Sequence, residues 1–266
     1  MSVLWPIPAA MPRAALVTGG ARRLGRAMAI MLAEAGFAVA LHARAEDDDA
    51  RDTLAAIADN GVRHALLVAD LGSEAEVSAL VPRAAAAVGP LGVLVNNAST
   101  FERDEWHDAD RASWDRHMEP NLRAPFRLIQ DFAAQVPVGA EAAVLNMLDQ
   151  RVWSPTPHFV SYSLSKAGLW WLTRSMALAL APRGIRVNAI GPGPALPSAR
   201  QTEEQFRRQC ESTPLGHGTS PGEVARAALA PLCLPSVTGQ MLALDGGQHL
   251  NWHPAPHGAP PGGLEE

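Results

Sequence analysis

The chain has 266 residues, a formal net charge of -5, 47% hydrophobic residues, a pI near 6.0 and a mean hydropathy of -0.01. That composition supports one well-buried α/β domain and supplies no basic footprint for nucleic acid. Cys210 and Cys233 stand in unrelated contexts, which argues against a disulfide framework or a metal site and fits a reducing cytoplasm, and no apolar run reaches the ~18 residues of a membrane span.

Residues 1–12 read as an extension before a single domain over 13–252. The opening Met1 to Pro8 carries prolines and no basic stretch, unlike a secretory leader. Ala14-Ala15-Leu16-Val17 is the first strand-like run and ends at Thr18-Gly19-Gly20. Phe37 to Leu41, Ala65 to Ala69, Val93 to Val95, Ala143 to Met147, Ile185 to Ile190 and Met241 to Leu244 are further runs, separated by alanine-rich helical stretches. Runs apolar on both faces and alternating with helices predict a doubly wound parallel sheet of Rossmann type. Ligands of such a sheet sit beyond the carboxyl ends of its strands. Residues 192–222 are rich in Pro, Gly, Ser and Thr around a short helix near Thr202 to Cys210, and are expected to form a lid. His253 to Glu266 reads as a disordered tail.

The loop Thr18-Gly19-Gly20-Ala21-Arg22-Arg23-Leu24-Gly25 follows the first strand and opens a helix, the setting in which glycines and a helix N-terminus receive a pyrophosphate. A tight turn without ligand is the plainer alternative. After the second strand comes His42-Ala43-Arg44, where an NAD site would place an acid for the ribose hydroxyl. With His42 and Arg44 there and Arg22 and Arg23 in the loop, NADP is the expected cofactor, because arginine pairs well with a phosphate. Glu46 to Asp49 read as a solvated helix start. Asp70 and Leu71 close the third strand, where Asp70 either accepts from adenine or caps the next helix.

Asn96-Asn97-Ala98-Ser99 follows the fourth strand, and Tyr162 and Lys166 lie four apart on a helix after the fifth. A phenol has a reference pKa near ~10, and a neighbouring cation lowers it. Taken together and in order, the glycine loop, Asn97-Ala98 and Tyr162-x-x-x-Lys166 resemble the short-chain dehydrogenase/reductase family from about Ala14 to Leu250. The resemblance implies Tyr162 as proton donor, Lys166 as its tuner and ribose ligand, Asn121 as anchor of a water-mediated proton path, and Pro192-Gly193 as a wall for the nicotinamide. Gly19, Leu24, Gly25, Asn97, Ala98 and Ser99 complete the implied cofactor site. It also implies a homo-oligomer, a tetramer, through the apolar helix from Ser161 to about Ala181.

Three departures narrow the resemblance. Asp149 replaces a serine, Arg23 a loop glycine and Ser99 another glycine, as in the pteridine reductases and dihydromonapterin reductases. Phe101 then matches a phenylalanine that stacks on the pterin. A carboxylate opposes the oxyanion of a ketone reduction, whereas a pterin C=N bond must protonate a ring nitrogen, which Asp149 can serve through Tyr162. Three readings stay open. They are NADPH-dependent reduction of a pterin, an ordinary ketone or 3-oxoacyl reductase, and a non-catalytic NADP-binding protein. Plainer roles also remain for Asp149, as an acid paired with Arg151, and for Phe101, as core packing. Arg103, Asp104 and Trp106 are further pocket candidates, while Trp153, Trp170 and Trp171 read as packing residues.

Overall fold

The computed structural model describes residues 6–198 and 201–250. The expected tail from His253 onward lies outside the described residues. Seven parallel strands form one sheet in the order β3-β2-β1-β4-β5-β6-β7. They are β1 Ala14–Val17, β2 Ala38–Ala43, β3 His64–Val68, β4 Val93–Asn96, β5 Ala142–Met147, β6 Ile185–Pro192 and β7 Met241–Leu244. β6 runs two residues past the apolar run because Gly191 and Pro192 still pair with Ala243 and Leu244.

Alternating residues divide each strand between two cores. Leu16, Leu94 and Val144 face one layer with helices α3 (Glu74–Val88), α5 (Ala124–Gln135) and α6 (Val160–Leu180). Ala15, Val17, Val93, Val95 and Leu145 face the other with α1 (Arg23–Glu34), α2 (Asp48–Ala58) and α8 (Pro221–Leu229). This two-sided burial is why the strands lack polar alternation. The remaining helices are α4 (Arg111–Met118), which packs against α6, and α7 (Glu203–Glu211). Asp47 caps α2 through Ala50 N–H, so the acidic run is indeed a helix start. A complete capping box from Thr202 and Gln205 starts α7. Among the described residues no helix is long and apolar enough to cross a membrane.

The expected extension is not wholly separate from the domain. Met11 is fully buried in the core layer behind α1, and Ala38 N–H donates to Arg13 O. Between α4 and α5 the chain widens into one π-helical turn, Glu119–Arg123. Pro120 lacks the N–H that an α-helix needs, and the bulge absorbs it. Asn121 lies in that bulge and is buried.

Candidate active site

The sheet order reverses between β1 and β4, which opens the crevice where doubly wound folds bind ligands. The glycine loop forms one wall. Gly19 has φ +59, and a Cβ at Gly25 would lie 2.2 Å from Gly19 O and 2.5 Å from Asn97 Nδ2. Only a glycine permits that approach. Asn97 donates through Nδ2 to Thr18 O and Gly19 O, both at 2.9 Å, and Thr18 Oγ1 accepts Asn97 N–H and Ala98 N–H. The side chain of Asn97 therefore braces the loop and does not itself face a cofactor. Ala98 packs directly behind Gly19, and Ser99 is exposed at the rim.

His42 requires a correction. Expected near a phosphate, its ring is buried beneath the glycine loop. Gly19 N–H donates to Nδ1 at 3.1 Å, and Nε2 lies 3.0 Å from Ala69 O. Since Nδ1 accepts, Nε2 carries the proton. Burial pulls the ring's pKa below its ordinary value, so His42 is a neutral brace and not a cation. Leu71 is likewise a core residue, which leaves only its backbone for a ligand. Leu24 packs partly against the opposite core.

Arg23 adopts φ +55, the left-handed conformation a glycine takes without cost and other residues at roughly 1–2 kcal/mol. Its guanidinium crosses the crevice to Pro197 O at 2.9 Å and Leu196 O at 3.4 Å. Arg22 and Arg44 are exposed, and pair loosely with Asp49 and Asp70 at 3.7 Å. Asp70 also turns the chain by accepting Gly72 N–H. Arg22 and Arg44 thus flank the segment after β2 while Arg23 reaches across the crevice, and the glycine loop beside them fits a phosphorylated dinucleotide.

The candidate catalytic residues lie past β5. The Tyr162 hydroxyl donates to Asp149 Oδ2 at 3.0 Å. Asp149 also accepts Arg151 N–H at 2.9 Å and meets the Arg151 guanidinium at 3.4 Å. Both readings of Asp149 therefore coexist, since it pairs with Arg151 and holds the tyrosine. Lys166 Nζ donates to Met147 O at 2.9 Å. Burial first, then the Asp149 carboxylate, push the Tyr162 phenol well above its ordinary value. The expected lowering by Lys166 is not what this geometry produces. Lys166 lies 5.8 Å from the centre of the Tyr162 ring, and burial pulls its own ammonium down to about 8.

Asn121 Oδ1 accepts Thr100 N–H at 2.8 Å, while Nδ2 donates to Thr100 O and Ser165 Oγ. Its side chain ties the loop after β4 to α6. Phe101 follows, 39% exposed, with its ring centre 4.7 Å from Tyr162 and 4.6 Å from Phe159, on which it stacks at 14°. The Arg151 guanidinium covers both phenylalanines. Pure core packing of Phe101 is thereby set aside. Asp104 is no pocket residue, since it is buried at the start of α6. Its carboxylate accepts Ser161 N–H at 3.1 Å and the Ser161 and Ser113 hydroxyls. Trp106 is 82% exposed, and Arg103 pairs with Glu105 at 2.9 Å. Pro192 ends β6, and Gly193 N–H donates to Leu244 O at 3.0 Å.

Sequence reasoning missed Phe159, Gln150 and the aromatic role of Arg151. Phe159 has φ +56, which no local pattern announces. The spacing of Arg151 from Asp149 points only to an ion pair.

A family model described as enoyl-(acyl carrier protein) reductase matches residues 19–249. The chain belongs to the short-chain dehydrogenase/reductase family. Among relatives in that family, the 3beta-hydroxysteroid dehydrogenase 1 of Eggerthella lenta is 34% identical, the match covering 88% of this chain and 93% of the relative. The 3-oxoacyl-(acyl-carrier-protein) reductase FabG of Staphylococcus aureus is 30% identical, the match covering 90% of this chain and 99% of the relative. The crystal structure of FolM alternative dihydrofolate reductase 1 from Brucella canis, complexed with NADP, superposes with a TM-score of 0.88 at 44% identity. That superposition covers 95% of this chain and 100% of the other.

Lys166 gives a test. With its folded pKa near 8 against an ordinary 10.5, the folded state holds fewer protons than the unfolded chain between those values. Stability therefore rises with pH across that window, recovering a burial cost on the order of 3 kcal/mol. Denaturant titrations of wild type and Lys166→Met at pH 7 and 9.5 should show the difference moving toward wild type by more than about 1 kcal/mol. Parallel pH dependences would contradict the burial argument.

Proposed function

We propose that the chain is an NADPH-dependent reductase of the C=N bond in a reduced pterin ring of dihydrobiopterin or dihydromonapterin type. The observation that carries this reading is the 3.0 Å hydrogen bond from Tyr162 to Asp149 beside the half-exposed ring of Phe101. NADPH, when bound, would supply the hydride for the ring carbon. Tyr162, held protonated by burial and by Asp149, gives its proton to the adjacent ring nitrogen. A proton entering on Asp149 passes to the phenol oxygen as it does so, which restores Tyr162. Phe101, backed by Phe159 and 39% exposed, would offer its exposed part to a flat heterocycle. Lys166 donates to the nicotinamide ribose, and Asn121 anchors water on the proton path. Gly19 and Gly25 would receive the diphosphate and Arg22 and Arg44 the 2′-phosphate, and residues 192–222 would close over the substrate.

The similarity to a protein called an alternative dihydrofolate reductase supports this substrate class, because dihydrofolate contains the dihydropterin ring. The similarity to a steroid dehydrogenase and a 3-oxoacyl reductase favours a second reading, reduction of a ketone. Asp149 speaks against it, since a carboxylate repels a developing oxyanion. We further propose a cytoplasmic homotetramer. Trp171 is 69% exposed on α6 beside an apolar groove of about 350 Å³ between α5 and α6, and a partner subunit would cover both.

NADPH oxidation with dihydropterins and with a ketone panel separates the two substrates. Turnover of dihydropterins is expected, with Tyr162→Phe losing at least ~100-fold, the scale of general-acid catalysis, and Asp149→Ser a comparable amount. Turnover of ketones alone, improved by Asp149→Ser, would reverse the assignment. Arg44→Asp should raise the KM for NADPH about tenfold or more while sparing NADH, because it removes a charged phosphate contact. Light scattering should give four times the chain mass for wild type and a smaller assembly for Trp171→Glu.

A further inference from the structure

Beside Asp149 lies a second, polar cavity of about 60 Å³, bounded by Gln150, Gln209, Gln248 and the Pro192-Gly193 step. It has room for about two waters, and so for an amino group or one ring edge. Gln150 is 6% exposed, and its Oε1 is buried without a hydrogen-bond partner among the described residues. A buried acceptor left unpaired is costly, and native structures keep few of them. Across the cavity, Gln209 has its Oε1 occupied by Gln201 Nε2 at 2.9 Å, which leaves its amide N–H groups as donors. The cavity is therefore walled by one residue with a buried, unpaired acceptor and by another with spare donors, next to the Tyr162–Asp149 pair. A simple ketone can accept from Gln209 but offers no N–H to the Gln150 acceptor.

We propose that Gln150 is a specificity-determining residue whose Oε1 accepts an N–H from the amino-lactam edge of the substrate. The proposal rests on the dihydropterin reading and extends it. Neither the glycine loop nor the Tyr162-Lys166 spacing calls for a glutamine at this position. The 3₁₀ turn Gln150–Val152, which Asp149 caps, places it there. Asp149 and Tyr162 then serve the reacting nitrogen, while Gln150 reads the exocyclic amine, which takes no part in the reaction.

The test uses the NADP-loaded enzyme and two probes, 2-amino-4-oxopteridine and its 2-deamino analogue. Wild type should bind the amino compound more tightly. Gln150→Met should weaken that compound about tenfold, the factor for a buried hydrogen bond lost, and leave the deamino analogue within about twofold. Removing an unpaired buried amide should also keep or raise the thermal midpoint. Equal losses for both probes, no loss, or a lowered midpoint or unfolded variant would assign Gln150 a structural role and overturn the proposal. Failure of the parent reading looks different. Wild type would then reduce ketones but no dihydropterin and would not discriminate between the probes, and the proposal would fall with it.

Discussion

The buried carboxylate of Asp104 determines where the substrate-facing groups stand. It accepts Ser161 N–H and the Ser161 hydroxyl, while its backbone oxygen accepts Phe159 N–H. Helix α6 begins at a left-handed phenylalanine with no capping side chain of its own. Asp104 does that work from another loop, with a negative charge where the helix dipole favours one. His117 reinforces the join. Its Nε2 accepts Glu102 N–H at 3.0 Å and its Nδ1 lies 2.6 Å from Ser161 Oγ. Burial pulls its pKa below the ordinary value, so it stays neutral. Phe101 lies between Thr100, held by Asn121, and Glu102, held by His117. One set of interactions therefore fixes both the aromatic platform and the helix that carries Tyr162 and Lys166.

Burial also governs the chemistry. The same exclusion of water raises the phenol and lowers the ammonium, because both shifts disfavour the charged form. The result is a protonated tyrosine against a carboxylate. That arrangement suits delivery of a proton to nitrogen better than stabilisation of an alkoxide. Arg151 balances Asp149 while its guanidinium lies over Phe101 and Phe159. The carboxylate and the stacking surface therefore share one cation.

Much of this was legible in the residues. The seven strand-like runs correspond to the seven strands, with ends shifted by at most two residues. Arg23 stands in a glycine's place, and it does occupy left-handed backbone. His42 misled because its chemistry suits a phosphate equally well. Only its depth under the loop showed that both ring nitrogens serve the backbone. Asp104 lies 57 positions from its partner Ser161, and no local period carries such a contact. The orphaned oxygen of Gln150 was invisible for the same reason.

The sequence by itself determined the parallel sheet, the crevice at its carboxyl edge, and the Tyr162, Lys166 and Asp149 set. The sheet and crevice follow from hydrophobic period and glycine placement, which are local properties, and the catalytic set from its ordered resemblance to the family. The tertiary structure alone decided which of the polar residues face the crevice and which brace it. It also decided that burial, and not Lys166, sets the state of Tyr162. Those outcomes depend on depth and on partners brought together from distant segments, and neither is written in the order of neighbouring residues.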